Sequence, residues 1–338
     1  MSSRWTHLVC SVAALVLALG TPVAAAAERH GPLTVRTQNP LHLLYLGPRP
    51  ARATLPSAGA LALEVQASVS NLLERTPMVG GWAQDLDLEI WRFVFSARYA
   101  PTRWIDLGLQ VPLLRFDGGF LDGPTDAWHG VIGNSGGRRA NVRRDRFSYR
   151  LAPTSQVLYD VDEVAIGLSD LTVDVRVRLR EGGDPSVGPA LALQVAGKLP
   201  TGSWQDALGS GAPDLGAWIL VEHGGRWLAV HGSLGLVVPG PARALAGIQA
   251  PAVLTWMAAA ELTPTPALSV LVQVLGATPR ILGIQSSNET GVSLDLALGV
   301  RGSARGWTWQ IAFVEDLITL GPSVDFTAMA SLGRTFGP

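Results

Sequence analysis

The sequence predicts an all-β fold: an antiparallel, up-and-down transmembrane β-barrel of about 12 strands with a long, partly helical external loop. Three observations lead to this prediction. Only 16% of the residues are charged, well below the roughly 25% typical of soluble domains. Apolar residues recur at every second position in segment after segment, which is the period of a strand. The connections between these segments alternate between short and long, as expected of periplasmic turns and external loops.

The first 27 residues predict a cleaved signal peptide (1–27). Arg4 supplies the positive charge, residues 8–19 form a short apolar core, and small residues follow at 21–27. The single cysteine, Cys10, lies inside this segment. The exported chain is therefore expected to have no disulfide and no thiolate, and to be located in the outer membrane.

Residues 28–56 predict an irregular periplasmic segment, and residues 57–338 predict the barrel. Prolines at 32, 40, 48, 50 and 56 disfavour a regular helix or a central strand in the first of these. The run from Leu41 to Leu46 is too apolar to remain in water. We expect it to enter the barrel mouth and to act as a small plug.

The alternation is clearest between Leu171 and Arg180, where odd positions are apolar and most even positions are charged. A strand collects those charges on one face, and the apolar face is then left for lipid. The strand near Leu61 is predicted to pair with the last strand, near Leu332, and so to close the barrel. Within residues 85–99 the apolar parity switches near Ile90, which predicts a β-bulge.

The polar faces of these strands predict the barrel lumen. The candidate lumen residues are Arg176, Arg178, Arg180, Asp174, Glu64, Asp106, Lys198, Glu222 and Asp295. Two interpretations remain open for the arginines at 176, 178 and 180: they tune the selectivity of a channel, or they form an internal salt-bridge network with the carboxylates. The predicted charges balance, which favours neither anions nor cations.

The longest connection, residues 115–167, is predicted to fold into or over the lumen, because connections of this length are commonly functional. A short helix is expected to begin near Asp122, and residues 146–151 and 156–161 are expected to form a hairpin. The candidates for a constriction are Phe120, Leu121, Trp128, Arg144 and Arg146. Arg138 and Arg139, in a glycine-rich tip, are expected to contact lipopolysaccharide.

The sequence predicts no catalytic, cofactor or metal site. Its histidines have no metal-ligand spacing, and residues 231–233 (His-Gly-Ser) do not form a nucleophile motif. An outer-membrane lipid hydrolase is kept as a further alternative. The net charge of −1 predicts no nucleic-acid partner.

Aromatic residues beside the predicted short turns indicate an interfacial girdle, since tyrosine and tryptophan favour the membrane–water boundary. They are Tyr99, Trp104, Trp227 and Trp307. The expected partners are therefore outer-membrane lipids and, through the aromatic residue Phe336 near the end of the chain, the barrel-assembly machinery.

Four groups of residues carry a resemblance to a known family. They lie at 37–47, at 118–123 with 128–129 and 144–147, at 167–171, and at 198–202 with 209–215. They resemble a family of uncharacterised Gram-negative outer-membrane proteins defined only by a domain of unknown function. The last two groups are also similar to barrels linked to the uptake of aromatic compounds, where glycine usually stands in place of Ser169. The resemblance implies the barrel fold, without an established substrate or catalytic residues.

The expected function is that of an outer-membrane channel or binding protein, passive in mechanism, for small and weakly polar solutes whose identity the sequence does not give. The competing hypothesis is a non-conducting structural or interaction barrel that serves envelope integrity. Twelve strands enclose only a narrow lumen, and bulky inward side chains are able to fill it.

Overall fold

The computed structural model of the chain describes residues 29–79, 82–131, 145–153, 159–161, 163–225, 227–245, 248, 250–281, 291–317, 324 and 326–337. The predicted signal peptide lies outside the described residues, as do the candidates Arg138, Arg139 and Arg144. Within the described ranges the fold is all-β with two short helices, α1 (Pro40–Leu43) and α2 (Asp122–Val131).

Twelve long strands form a closed antiparallel barrel, and three short strands extend it. The strands are β1 (Leu61–Val79), β2 (Trp82–Thr102), β3 (Ile105–Asp117), β4 (Ser148–Pro153), β5 (Tyr159–Val161), β6 (Ala165–Leu168), β7 (Leu171–Arg180), β8 (Ala190–Leu199), β9 (Asp214–Gly224), β10 (Leu228–Pro239), β11 (Val253–Thr265), β12 (Leu268–Ala277), β13 (Ser293–Ala304), β14 (Trp307–Asp316) and β15 (Phe326–Phe336). The short strands are β4, β5 and β6, and the other twelve form the wall.

The wall closes as predicted, because the first and last strands pair. β1 is antiparallel to β15, with Leu61 opposite Phe336 and Val65 opposite Leu332. The remaining wall strands pair with their neighbours along the chain, except that β3 pairs with β7 across the long connection. The predicted hairpin is also confirmed, since β4 pairs with β5.

The two faces of the wall are inverted relative to a soluble barrel. On β7, the side chains of Val173 and Val175 are 43% and 38% exposed, whereas those of Asp174 and Arg176 are 4% and 5% exposed. Apolar side chains thus cover the outside and polar ones lie within. This arrangement suits a wall surrounded by lipid, where every strand edge must be paired.

Among the described residues, no helix is long and apolar enough to cross a membrane.

We name the two ends of the barrel by their connections. The short-turn end holds the turns at 103–104, 225–227, 266–267 and 305–306, and the long-loop end is opposite. At one short turn, Arg305 and Gly306 both have positive φ angles, of 53° and 80°. A two-residue hairpin with positive φ at both positions matches the twist of the flanking strands.

The predicted aromatic girdle is present at the short-turn end. Tyr99, Trp104, Trp227 and Trp307 are all partly exposed on the outside of the barrel. The guanidinium of Arg103 lies 5.0 Å from the Trp104 ring centroid, and that of Arg334 lies 5.2 Å from the Trp307 ring. Such contacts place an aromatic ring and a cation together, as at a membrane–water interface.

The predicted bulge near Ile90 is wrong. β2 pairs with β1 without interruption from Tyr99 to Gln84, and Leu86, Leu88 and Ile90 are buried in the lumen. The apolar parity changes because the lumen itself is apolar at the long-loop end. β1 continues to Val79 and β2 begins at Trp82, so both strands extend into this apolar region.

Candidate functional site

The lumen is occupied by residues 29–60, which we call the inner segment. It starts at the short-turn end, where the Arg29 guanidinium donates hydrogen bonds to the carbonyls of Gly183 and Gly224. The His30 ring is hydrogen-bonded to Ser269 and Ser303 at 2.8 and 3.1 Å. These contacts fix the segment against the ends of β9, β12 and β13 and against the connection between β7 and β8.

The first arm of the inner segment rises along the wall. The backbone N–H of Leu33 donates to Gln273 Oε1 (2.9 Å), and Gln273 Nε2 donates back to the Leu33 carbonyl (3.0 Å). Gln66 Nε2 donates to the carbonyl and the hydroxyl of Thr34, at 2.8 and 3.0 Å. Wall glutamines therefore satisfy backbone groups that would otherwise be buried without partners.

The tip of the inner segment is the helical turn α1, which the sequence did not predict. Asn39 caps it by accepting hydrogen bonds from the N–H groups of Leu41 (2.9 Å) and His42 (3.3 Å). Pro40 is tolerated because a first-turn residue needs no N–H donor. At the other end, Arg36 Nη2 donates to the carbonyls of His42 and Tyr45, each at 3.0 Å.

Apolar side chains surround this tip at the long-loop end. A buried cluster joins residues of the tip to inward residues of β1 to β4 and of the connections above them. Its members include Leu41, Leu43, Leu44, Tyr45, Leu72, Leu86, Leu88, Ile90, Leu114, Phe116, Tyr149, Leu151 and Ile281. Fully burying an aliphatic side chain contributes about 1.5–3 kcal/mol, so the tip is anchored mainly by packing.

The second arm descends and is held by charged groups. The Leu46 N–H donates to Asp214 Oδ2 at 2.7 Å. Arg49 Nη2 lies 2.6 Å from Asp174 Oδ1, and Arg52 Nη2 lies 2.8 Å from Glu222 Oε1. The inner segment thus crosses the whole lumen and returns, rather than plugging only the mouth as we predicted.

Four of the predicted lumen carboxylates and cations form buried pairs near this arm. Arg176 Nη2 lies 2.5 Å from Asp106 Oδ2, and Arg98 also binds both Asp106 and Asp174. Lys198 Nζ lies 3.1 Å from the carboxylates of Asp170 and Asp214. Of the three arginines in the salt-bridge interpretation, Arg176 therefore pairs with a predicted carboxylate, Asp106. Asp174 and Glu222 pair with arginines outside that set.

The three arginines at 176, 178 and 180 do not share one set of contacts. Arg178 contacts Glu181 at 3.5 Å, and Arg180 Nη2 donates to the Val187 carbonyl at 3.0 Å. Both therefore lie at the short-turn end, where pairing with β8 shifts register between them. Glu64 lines the lumen cavity, and Asp295 is buried on the inner face of β13.

A cavity of about 600 Å³ remains between the inner segment and the wall. Among the described residues that line it, eight are arginine or lysine, and two, Glu64 and Asp170, are carboxylates. Other carboxylates, such as Asp106, lie behind the arginines and are fully buried. The prediction of a balanced lumen is therefore wrong at this surface, because the inner segment adds Arg36, Arg49 and Arg52.

Three arginines of the lumen differ from the paired ones. Arg36, Arg92 and Arg280 are buried or nearly so, and none lies within ion-pair distance of a carboxylate among the described residues. All three nitrogens of the Arg280 guanidinium, and Nε of Arg36, have no hydrogen-bond partner there. The sequence analysis missed these residues, although the parity of Arg92, opposite to that of Phe93 and Phe95, indicates the lumen.

Two of these arginines lie outside the wall strands, and burial lowers the pKa of both. Burial, followed by the charges of Arg92, Arg280 and Arg49, lowers the pKa of Arg36 well below its usual value, and Asp214 opposes this. Burial lowers the pKa of Arg280 to about 10, against the attraction of Asp295 and Asp214. Several cations therefore lie close enough to Arg36 in the lumen to repel its positive charge.

The predicted loop constriction is not formed by the described part of the loop. Phe120 is 61% exposed and its ring lies 6.4 Å from that of Trp91 on the outer wall. Glu89 causes this orientation, because its carboxylate accepts the N–H groups of Phe120 (2.5 Å) and Leu121. Leu121 is buried, whereas Arg144 and the side chain of Trp128 lie outside the described residues.

Other parts of the loop form local contacts. Arg146 Nη2 pairs with Asp85 at 2.8 Å, and both side chains are partly exposed. Asp122 begins α2, and its carboxylate accepts hydrogen bonds from Asn71 Nδ2 (3.0 Å) and the Asp145 N–H (2.8 Å).

The histidine–serine cluster on β10 is part of the polar network. His231 Nε2 lies 2.7 Å from Glu261 Oε2, and Glu261 Oε1 accepts the Ser269 hydroxyl at 2.6 Å. Among the described contacts, Ser233 makes no hydrogen bond to His231. Within the same part of the chain, no three histidine, cysteine or carboxylate residues group as metal ligands.

The barrel and the inner segment within it have the fold of outer-membrane barrel channels. The chain belongs to the family described as "Protein of unknown function (DUF3187)", whose pattern it matches over residues 7–337. No curated protein matches the chain.

A solved structure shows the same fold, and two other barrels superpose less closely. The COG4313 outer membrane channel from Pseudomonas putida F1 superposes with a TM-score of 0.56 at 14% identity, covering 86% of this chain and 100% of that one. The NanC porin gives 0.45 at 8% identity, with 82% and 100% covered. The P. putida toluene transporter TodX gives 0.37 at 8% identity, with 85% and 92% covered.

Proposed function

We propose that the protein is an outer-membrane channel that passively admits or binds small solutes, and that the inner segment is its constriction. In this proposal residues 1–27 direct export, the short-turn end faces the periplasm, and the long-loop end faces outward. The observation that carries the proposal is the cavity of about 600 Å³ between the inner segment and the wall. A lumen serving only as structural core would be packed to the density of a protein interior.

The second arm of the inner segment is the part we expect to control passage. Its ion pairs, Arg49 with Asp174 and Arg52 with Glu222, lie at the margin of the cavity. Buried ion pairs fix geometry more than they add stability, because desolvation offsets much of their attraction. The arm is therefore able to shift while the apolar tip remains packed.

Conductance across a planar lipid bilayer tests the proposal. The full chain is expected to show small, discrete conductance steps. The double variant Arg49→Gln with Arg52→Gln should conduct several-fold more, because the second arm loses its hold on the wall. Arg180→Gln is the matched control, since it removes one charge from an exposed turn and should leave conductance unchanged.

A non-conducting structural barrel is the second candidate, and one observation favours it. Residues 37–46 of the inner segment are buried along their whole length, which is the arrangement of a closed lumen. If neither the full chain nor the double variant conducts, although both show the heat-resistant mobility of folded barrels, the structural role is correct and the channel proposal is wrong.

A further inference from the structure

We propose that the lumen cavity binds small organic carboxylates, with the anionic group at Arg36 and Arg92 and an apolar body against the neighbouring aliphatic wall. This inference rests on the proposed function and names its solute class. It replaces the weakly polar solutes that the sequence led us to expect.

Two arginines on the strand β2 differ in whether a carboxylate pairs with them. Arg98 of β2 binds the carboxylates of both Asp106 and Asp174. Arg92 of the same strand lines the same cavity and is 6% exposed, yet no described carboxylate pairs with it. An enclosed guanidinium without a counter-charge is costly, and an anionic solute would remove that cost.

Arg36 contributes a second cation to the cavity that Arg92 lines. Its Nη2 atom is used by two carbonyls of the tip, while its Nε is left without a partner. The side chain lines the cavity together with Arg92, and the charge of Arg92 acts on it. Arginine presents a planar fork of donors that matches a carboxylate.

An internal carboxylate does not supply the missing counter-charge. Asp214 is the carboxylate whose charge acts on Arg36. Asp295 and Asp214 both act on Arg280, but Arg280 is not among the described residues that line the cavity. Asp214 is already occupied, because it accepts the Leu46 N–H at 2.7 Å and pairs with Lys198 at 3.1 Å. The cation cluster therefore keeps capacity for an added anion.

The cavity also has an apolar side for the body of the solute. Apolar residues of the inner segment and the wall line the same cavity beside the two arginines: Val35, Leu43, Tyr45, Val94 and Leu114. The volume of about 600 Å³ lies within the range of small-molecule sites, which combine apolar walls with a few charged groups. This combination favours an organic carboxylate over an inorganic anion.

Calorimetric titration of the purified full-length barrel in detergent tests the inference. The probes are benzoate, benzyl alcohol as a neutral compound of similar shape, and inorganic phosphate. We expect benzoate to bind at least tenfold more tightly than either of the others. Equal affinity for benzoate and benzyl alcohol would overturn the role of charge, and tighter binding of phosphate would overturn that of the apolar wall.

Variants locate the site. Arg92→Gln is expected to weaken benzoate binding at least tenfold, and Arg92→Lys should recover part of it because it retains the charge. The control is Arg115→Gln, which removes an arginine that is half exposed and pairs with Asp117 at 2.7 Å. Arg36→Gln is a second test if Arg92→Gln does not fold. Benzoate affinity that is unchanged in the folded variants contradicts the inference.

Bilayer measurements separate this inference from the proposed function. If the barrel conducts but benzoate neither binds nor reduces the current, the channel stands and the carboxylate site is wrong. If benzoate binds through Arg92 while no variant conducts, the site stands and the channel is wrong.

Discussion

The two ends of the lumen hold the same inner segment by different physical means. At the long-loop end, the tip around α1 is enclosed by aliphatic and aromatic side chains of β1 to β4. At the short-turn end, both arms are held by buried charges and amides, such as Glu222, Glu261 and Gln273. The outer wall is apolar along its whole height. Inward wall residues are therefore mainly apolar where they contact the tip of the inner segment, and often charged or amide-bearing where they contact its two arms.

The difference has an energetic meaning. Burial of apolar side chains is favourable without any geometric condition, so the long-loop end supplies most of the attachment. Buried charges are costly unless they are paired, and Arg49 and Arg52 of the second arm are paired, so the short-turn end mainly fixes the position of each arm.

Leu41→Asp is expected to have the largest effect, a loss of about 3–5 kcal/mol in the free energy of unfolding, because it leaves an uncompensated charge in the apolar cluster. Urea unfolding in lipid vesicles measures it. Ala51→Asp is the control, since that position lines the cavity between Arg49 and Arg52, and it should cost far less. Equal losses would show that the two ends do not differ.

Val175→Arg compares the outer wall with the charged lumen. It should cost about 2–4 kcal/mol if the side chain lies near the bilayer midplane. The neighbouring change Arg176→Ser should cost less, because Arg98 still pairs with Asp106. The same unfolding measurement applies, and a larger loss for Arg176→Ser would refute the assignment of faces.

Arg280→Met should stabilise the barrel by about 1 kcal/mol, since it replaces a buried unpaired guanidinium with an apolar group of similar length. Its three nitrogens lack partners, and the adjacent Ile281 belongs to the apolar cluster. The urea midpoint in the absence of any added anion is the measurement. A lower midpoint would show that Arg280 is compensated in solution.

Replacing α2 (Asp122–Val131) with a short glycine–serine linker should have the smallest effect. None of its described side chains lines the cavity, so single-channel conductance should change by less than that of the Arg49 and Arg52 double variant. A several-fold rise would instead make this loop the constriction.

The sequence was a sound guide to the fold because lipid imposes one rule on every outward position. Val173 and Val175 meet hydrocarbon, whatever lies inside, so alternation predicted the strands, the closure and the girdle. The lumen obeys no such uniform rule. The apolar residue Ile90 was interpreted as a sign of a bulge because inward positions were expected to be polar, but its neighbours in the lumen are apolar. Arg92 was not predicted as a site residue because its surroundings include Arg36, which is 56 positions away in the chain.

The candidate site was predictable only in part for the same reason. Asp106, Asp174, Arg176, Lys198 and Glu222 follow from strand parity, and the structure brings them to the lumen. Their partners Arg49 and Arg52 come from a segment without periodicity, so no pattern indicated which wall residue each one meets. Phe120 was misplaced because a distant carboxylate, that of Glu89, directs its backbone outward.

The path of the inner segment has a mechanical consequence. Both of its arms leave the lumen at the short-turn end, and it contributes no strand to the wall. The segment is therefore a loop inside a closed barrel. It can leave the lumen through that end, or return, without breaking any pairing between wall strands. A force applied to the region around Arg29 would be opposed by the contacts between the inner segment and the lumen wall, and not by the hydrogen bonds between wall strands.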